Sequence, residues 1–177
     1  MVDRTDLGTS FGVDFNPAAN RLRVVSDAGQ NLRHNIDDPN GAPAAGTTAV
    51  DGMLTYPPAT VAATGISGAA YTNNDLDPNT ATTLFDVDTA LDQVAVQSPA
   101  NAGSLAPTGK LLADAGSGAG FDIFTTQSGD NLGFAALQVG GRYGFHQVDV
   151  LTGEASLVRT FSERRQVVDI AVPLDQD

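Results

Sequence analysis

The 177-residue chain has no cysteine, no tryptophan, a single lysine (Lys110) and two histidines, and only 6% of it is aromatic. Without Cys, structural disulfides, thiolate metal sites and a cysteine nucleophile are all excluded. Without Trp, a core has to be assembled from Val, Leu, Ile, Ala and the eight Phe. No apolar run approaches the roughly 18 residues of a membrane-spanning helix. The segment Met1-Val2-Asp3-Arg4-Thr5-Asp6 lacks the basic and apolar regions of a signal peptide. These absences lead to the expectation of a soluble chain and leave its compartment open.

Positive charge is scarce as well. Nine basic residues face 21 acidic ones, giving a formal net charge of −12. A field of that sign repels nucleic acid and anionic membrane surfaces, so neither is expected as a partner. Plain solubility accounts for such a balance; adaptation to high salt or a cation-binding surface are the alternatives.

What the chain does have is glycine, 19 residues of it, with Pro, Asn, Asp and Thr in short recurring patches. That punctuation suits many short strands joined by turns, and no stretch shows a sustained 3.6-residue period with a cap. Repetition then organises the strands. An apolar strand with a central Asp or small residues recurs as Phe11-Gly12-Val13-Asp14-Phe15, Ser67-Gly68-Ala69-Ala70-Tyr71, Gly120-Phe121-Asp122-Ile123-Phe124 and Val167-Val168-Asp169-Ile170-Ala171. The copies lie roughly 50 residues apart, the length of a four-stranded propeller blade.

A second pattern, an apolar residue followed by Val/Ile-Asp, falls between them at Leu32–Asp37, Leu84–Asp88 and Phe145–Asp149. Each reads as a half-buried strand whose Asp supplies a turn acceptor. The expected fold is all-β: a propeller-type repeat of about three four-stranded antiparallel blades at 11–55, 67–112 and 119–161, plus one extra strand at 167–174. The segments 37–47, 56–66, 73–81 and 98–109 read as exposed loops. A blade offers an apolar face to each neighbour, so the ends of such a stack need a cap, a partner or closure. The expected partner is therefore a second copy of the chain, a homo-oligomer formed through open blade faces.

Residues 11–33 carry a longer signature: Phe11-Gly12-Val13-Asp14-Phe15-Asn16-Pro17, Arg21-Leu22-Arg23-Val24-Val25-Ser26-Asp27 and Gly29-Gln30-Asn31-Leu32-Arg33. This run resembles a bacterial family of unknown function whose members carry FGxDFNPxxDRxRVVSDxGQNxR. The later GAAYTN, TTLFDVDT and GFDI segments are similar to that family too. The resemblance spans essentially the whole chain and implies a propeller with one or two further blades ahead of the motif, whereas this sequence begins close to it. Asn20 stands where the pattern has Asp. The family implies no established activity.

Several constellations are candidates for chemistry. Asp14, Asn16, Arg21, Arg23, Ser26, Asp27, Gln30, Asn31 and Arg33 form the densest polar cluster. Alternation places Asp14 across from the arginines, so an Asp14–Arg pair is expected. Arg21, Arg23, Asn31 and Arg33 would hold a carboxylate or phosphate in bidentate fashion; the competing reading is an ion-pair network that sets strand register. Asp14, Asp122 and Asp169, on inner strands, are the candidates for a Ca²⁺ or other hard-cation site, set against a repeated structural role. His34 and His146 occupy matching places, but further ligands are missing and both read as exposed strand residues. The run Asn73–Asn79 lacks the Gly and Glu of a calcium loop. No nucleophile elbow and no phosphate cradle is present.

The functional expectation is a non-catalytic propeller module for binding or assembly, without a cofactor other than Ca²⁺ on the cation-binding reading. The alternative is a hydrolase or lyase acting on a polar, carbohydrate-like substrate, with Asp14, Asp27 and Asp122 as its acids.

Overall fold

A computed structural model describes residues 8–73, 75, 77 and 79–173. Among them, twelve strands form three four-stranded antiparallel sheets, each a meander in chain order. The first comprises β1 (Phe11–Asn16), β2 (Arg21–Ser26), β3 (Asn31–Asn35) and β4 (Thr47–Val50). The second comprises β5 (Ile66–Tyr71), β6 (Leu84–Asp88), β7 (Gln93–Gln97) and β8 (Leu105–Lys110). The third comprises β9 (Ala115–Thr125), β10 (Asn131–Val139), β11 (Arg142–Val148) and β12 (Ala155–Thr160). The described residues contain no α-helix, only one 3-10 turn at Ala100–Ala102.

The sheets stack through their first strands, β1 against β5 and β5 against β9. Glycine makes this approach possible. A Cβ on Gly12 would meet Ala69 N at 2.5 Å, and one on Gly68 would meet the Phe121 Cβ at 2.8 Å. Side chains there would force the sheets apart. Between the first two sheets lies a core of Val25, Leu54, Ile66, Ala69, Tyr71, Leu84, Ala95 and Leu105. Between the second and third lies another, including Ala70, Phe85, Val87, Val94, Phe121, Ile123, Leu137 and Val148. Burying this much apolar surface is the main favourable term in the stack.

The middle sheet is covered on both faces, so every residue of β5 and β6 is buried. The alternation in Leu84–Asp88 suggests a half-buried strand. Instead both Asp86 and Asp88 are enclosed, since a sheet between two neighbours has no solvent face.

The end sheets differ. Phe11, Val13 and Phe15 project from the far side of β1 and are 44%, 47% and 49% exposed. Val24 pairs with both Val13 and Leu32, and Leu32 with Val50, so an apolar face continues across the whole first sheet. On the outer side of the third sheet, Phe134 and Phe145 stack with centroids 5.4 Å apart and rings 8° from parallel.

Three further expectations change. The extra strand at 167–174 is not a strand: residues 167–173 are chain without a ladder, and residue 174 lies outside the described residues. Among the described residues 167–172 make no backbone–backbone bond. They still lie against β9, where a Cβ on Gly120 would fall 2.3 Å from the Asp169 Cα. The supposed exposed loop 98–109 contains most of β8, with Leu105 buried. Pro107 sits within it opposite Ala95, where the register shifts, a place that tolerates the missing donor. The supposed loop 56–66 likewise ends in Ile66, fully buried at the start of β5.

Candidate functional site

Alternation along β2 puts Arg21 and Arg23 on the face of the first sheet that meets the second. Arg33 stands directly opposite Arg23 on β3 and joins them. Arg23 is 2% exposed. Its Nη1 donates to Asn31 Oδ1 at 2.6 Å and to Asp51 Oδ2 at 2.8 Å, and its Nη2 donates to Asn101 Oδ1 at 2.7 Å. Its Nε donates to the Tyr71 hydroxyl at 3.3 Å. Arg33 forks onto the same carboxylate, Nε to Asp51 Oδ2 at 3.0 Å and Nη2 to Oδ1 at 3.1 Å. Arg21 pairs with Asp38 at 2.9 Å and donates to the carbonyls of Ala19, Asn20 and Ala42.

The cluster ties the first sheet to the second. Asn31 Nδ2 donates to the carbonyls of Gly52 and Ala100, both at 2.9 Å. Burial pushes Asp51 up, but the hydrogen bonds from Arg33 and Arg23 outweigh it and hold the carboxyl below its usual range. Beside this network lies a cavity of about 160 Å³ lined by all three arginines together with Asn16, Tyr71 and Asn101.

Arg21, Arg23, Asn31 and Arg33 are thus brought together, but the expected Asp14–Arg pair is not formed. Asp14 is the cross-strand neighbour of Arg23 in the ladder, yet its oxygens accept the backbone N–H of Phe15 at 2.7 Å and of Tyr71 at 2.6 Å. The carboxylate that replaces it is Asp51, 28 residues from Arg23, with Asn101 and Tyr71 arriving from still further along the chain. No local pattern announces such partners; they depend on how the second sheet docks.

Asp122 repeats the role of Asp14: it accepts the N–H of Ile123 at 2.8 Å and of Val172 at 2.6 Å. Burial pushes both carboxyls up. Asp14 reaches about 7, opposed by the Tyr71 N–H and helped by the negative charge of Asp122. Asp122 is raised in the same way, opposed by Val172 and Ile123 and helped by Asp169. Asp169 accepts the Ile170 N–H at 2.9 Å. Among the described residues no group of three His, Asp or Glu side chains is placed to hold a metal ion.

Asp27 is engaged elsewhere, accepting the Thr9 N–H at 2.8 Å and the Thr9 hydroxyl at 2.6 Å. His34 makes a 2.9 Å hydrogen bond to the Thr48 hydroxyl. His146, expected to be exposed, is 4% exposed because it stands opposite Ala135 on the face of the third sheet that packs against the second, and burial lowers its affinity for a proton. The sequence reading also missed Asp86. It is wholly enclosed, its two oxygens have no hydrogen-bond partner among the described residues, and burial pushes its carboxyl well above the usual range. The Gln97 Oε1 is another buried acceptor in the second sheet without a partner there.

Comparison with known proteins adds the lineage. No curated protein and no solved structure matches the chain. A family model described as a domain of unknown function, DUF4394, matches residues 2–171. The chain belongs to that family.

Proposed function

We propose that this chain is a non-catalytic β-propeller module for binding or assembly, and that it associates with a second copy of itself through its open sheet faces. One observation carries the reading. β1 presents Phe11, Val13 and Phe15 outward, whereas the corresponding stretch of β9, Ala119, Phe121 and Ile123, is buried against the second sheet. An apolar sheet face of this kind normally meets another sheet. Light scattering over a concentration series tests it: a dimer or larger ring is expected, and a monomer at every concentration overturns the assembly part.

A second reading, a hydrolase or lyase for a polar, carbohydrate-like substrate, is favoured by the lifted carboxyl of Asp14, which at about 7 is suited to proton transfer near neutrality. Against it, Asp14 and Asp122 both direct their oxygens at backbone N–H groups. Asp14→Asn separates the two. Under the enzymatic reading it abolishes turnover of a carbohydrate panel and leaves the fold intact; under the structural reading it lowers the melting temperature.

A further inference from the structure

Three guanidinium groups line the cavity beneath the first sheet, and among the described residues their ion pairs involve two carboxylates, Asp38 and Asp51. One positive charge is left over, in a chain that is otherwise strongly acidic. Asp86 does not balance it, because complete burial favours its neutral form.

The donors are also incompletely used. A guanidinium carries five N–H groups. Arg21 directs them at Ala19, Asn20, Ala42 and Asp38, and Arg23 at Asn31, Asp51, Asn101 and Tyr71. Arg33 directs its own at Asp51 twice and at Ala42. Each arginine therefore keeps at least one N–H uncommitted among the described residues. The remaining wall includes the small residues Ala19, Ala42 and Ala100, which leave room for a short carbon chain. A volume of about 160 Å³ suits a ligand of a few heavy atoms.

We propose that this cavity binds a small monocarboxylate, its two oxygens taking uncommitted guanidinium N–H groups and its short chain lying against the alanines. Planar, forked donors match a carboxylate in geometry. A single surplus charge matches a monoanion better than a phosphate dianion, which would leave excess negative charge in a half-buried site. The inference rests on the binding-module reading and names its ligand class.

The test titrates ¹³C-labelled acetate into the whole chain at constant ionic strength and follows its line width, with sodium chloride and inorganic phosphate as competitors. Saturable broadening, competed by propionate but not by chloride, is expected. Arg33→Gln is expected to weaken binding about tenfold or more, and Arg142→Gln, at the exposed pair with Glu163, to leave it unchanged. Absence of saturable broadening, equal competition by chloride, or displacement by phosphate in preference to propionate would overturn the proposal. If Arg33→Gln fails to fold, the titration of the unaltered chain still decides. Failure here leaves the mass in solution untouched, so it is distinguishable from failure of the assembly reading.

Discussion

The Asp14 carboxylate accepts the backbone N–H of Tyr71 across the junction of the first and second sheets at 2.6 Å. Asp122 makes the same 2.6 Å bond to Val172, across the face where the third sheet ends. On β1 and on β9 one carboxylate thus ties the strand to the segment beside it, supplying polar satisfaction that the contact would otherwise lack.

Removing that tie should be costly in the middle of the stack. Asp14→Ala strands the N–H of the nearly buried Tyr71 and is expected to lower stability by about 1–3 kcal/mol in urea denaturation. Asp122→Ala should leave global stability less affected and instead raise protease susceptibility within 162–173. Equal global losses from both variants would mean that the terminal segment is as firmly integrated as β5.

The Asp14 carboxyl has a pH signature. Its pKa in the folded state, about 7, lies above the 3.8 of an ordinary aspartate. The folded protein therefore holds this proton more tightly than the unfolded chain. The resulting stabilisation is complete below pH about 4 and is lost as pH rises through about 7. Asp122 and Asp86 are shifted in the same direction; His146, whose proton affinity burial lowers, acts the other way, and with three carboxyls against one imidazole the melting temperature should fall between pH 5 and pH 8. Asp14→Asn should flatten part of that slope; an unchanged slope would show that Asp14 is ionised throughout.

Arg23 and Arg142 should behave oppositely. Arg23→Met leaves the Asp51 carboxylate with one partner fewer in a site where its side chain is 8% exposed. A loss of about 3–5 kcal/mol in chemical denaturation is expected. Arg142 and Glu163 form a pair 69% and 78% exposed, and Arg142→Gln should change stability by less than about 1 kcal/mol. Similar losses from both would mean that the buried cluster relaxes around the missing group.

The open face of the first sheet yields a paired prediction. Val13→Glu, at a position 47% exposed, should preserve folding as judged by circular dichroism and dissociate any oligomer in light scattering. Phe121→Glu, at a corresponding position that is 4% exposed, should prevent cooperative folding because it buries a charge without a partner. Retention of the oligomer by Val13→Glu would place the assembly contact elsewhere.

Much of this architecture is legible in sequence because it depends on local alternation and turn chemistry. Asp88 accepts the N–H groups of Ala90 and Leu91, and Asp149 those of Leu151 and Thr152, as short-range turn patterns dictate. The strand pattern around residues 11–33 likewise foretells which side of β2 carries its arginines. Sequence by itself determined the all-β class, the repeating strand groups and the placing of Arg21 and Arg23 on one face of their strand, since all three follow from period-two alternation along short strands; Arg33 joins them through the register of β3 against β2. Only the tertiary structure decided that Asp51 rather than Asp14 pairs with the arginines, that Asp86 is enclosed, that Pro107 lies within a strand, and that residues 167–173 lie along β9 without a ladder. Those outcomes depend on which sheet covers which face and on contacts between residues far apart in the chain, and stacking distance and burial are not encoded in any local pattern.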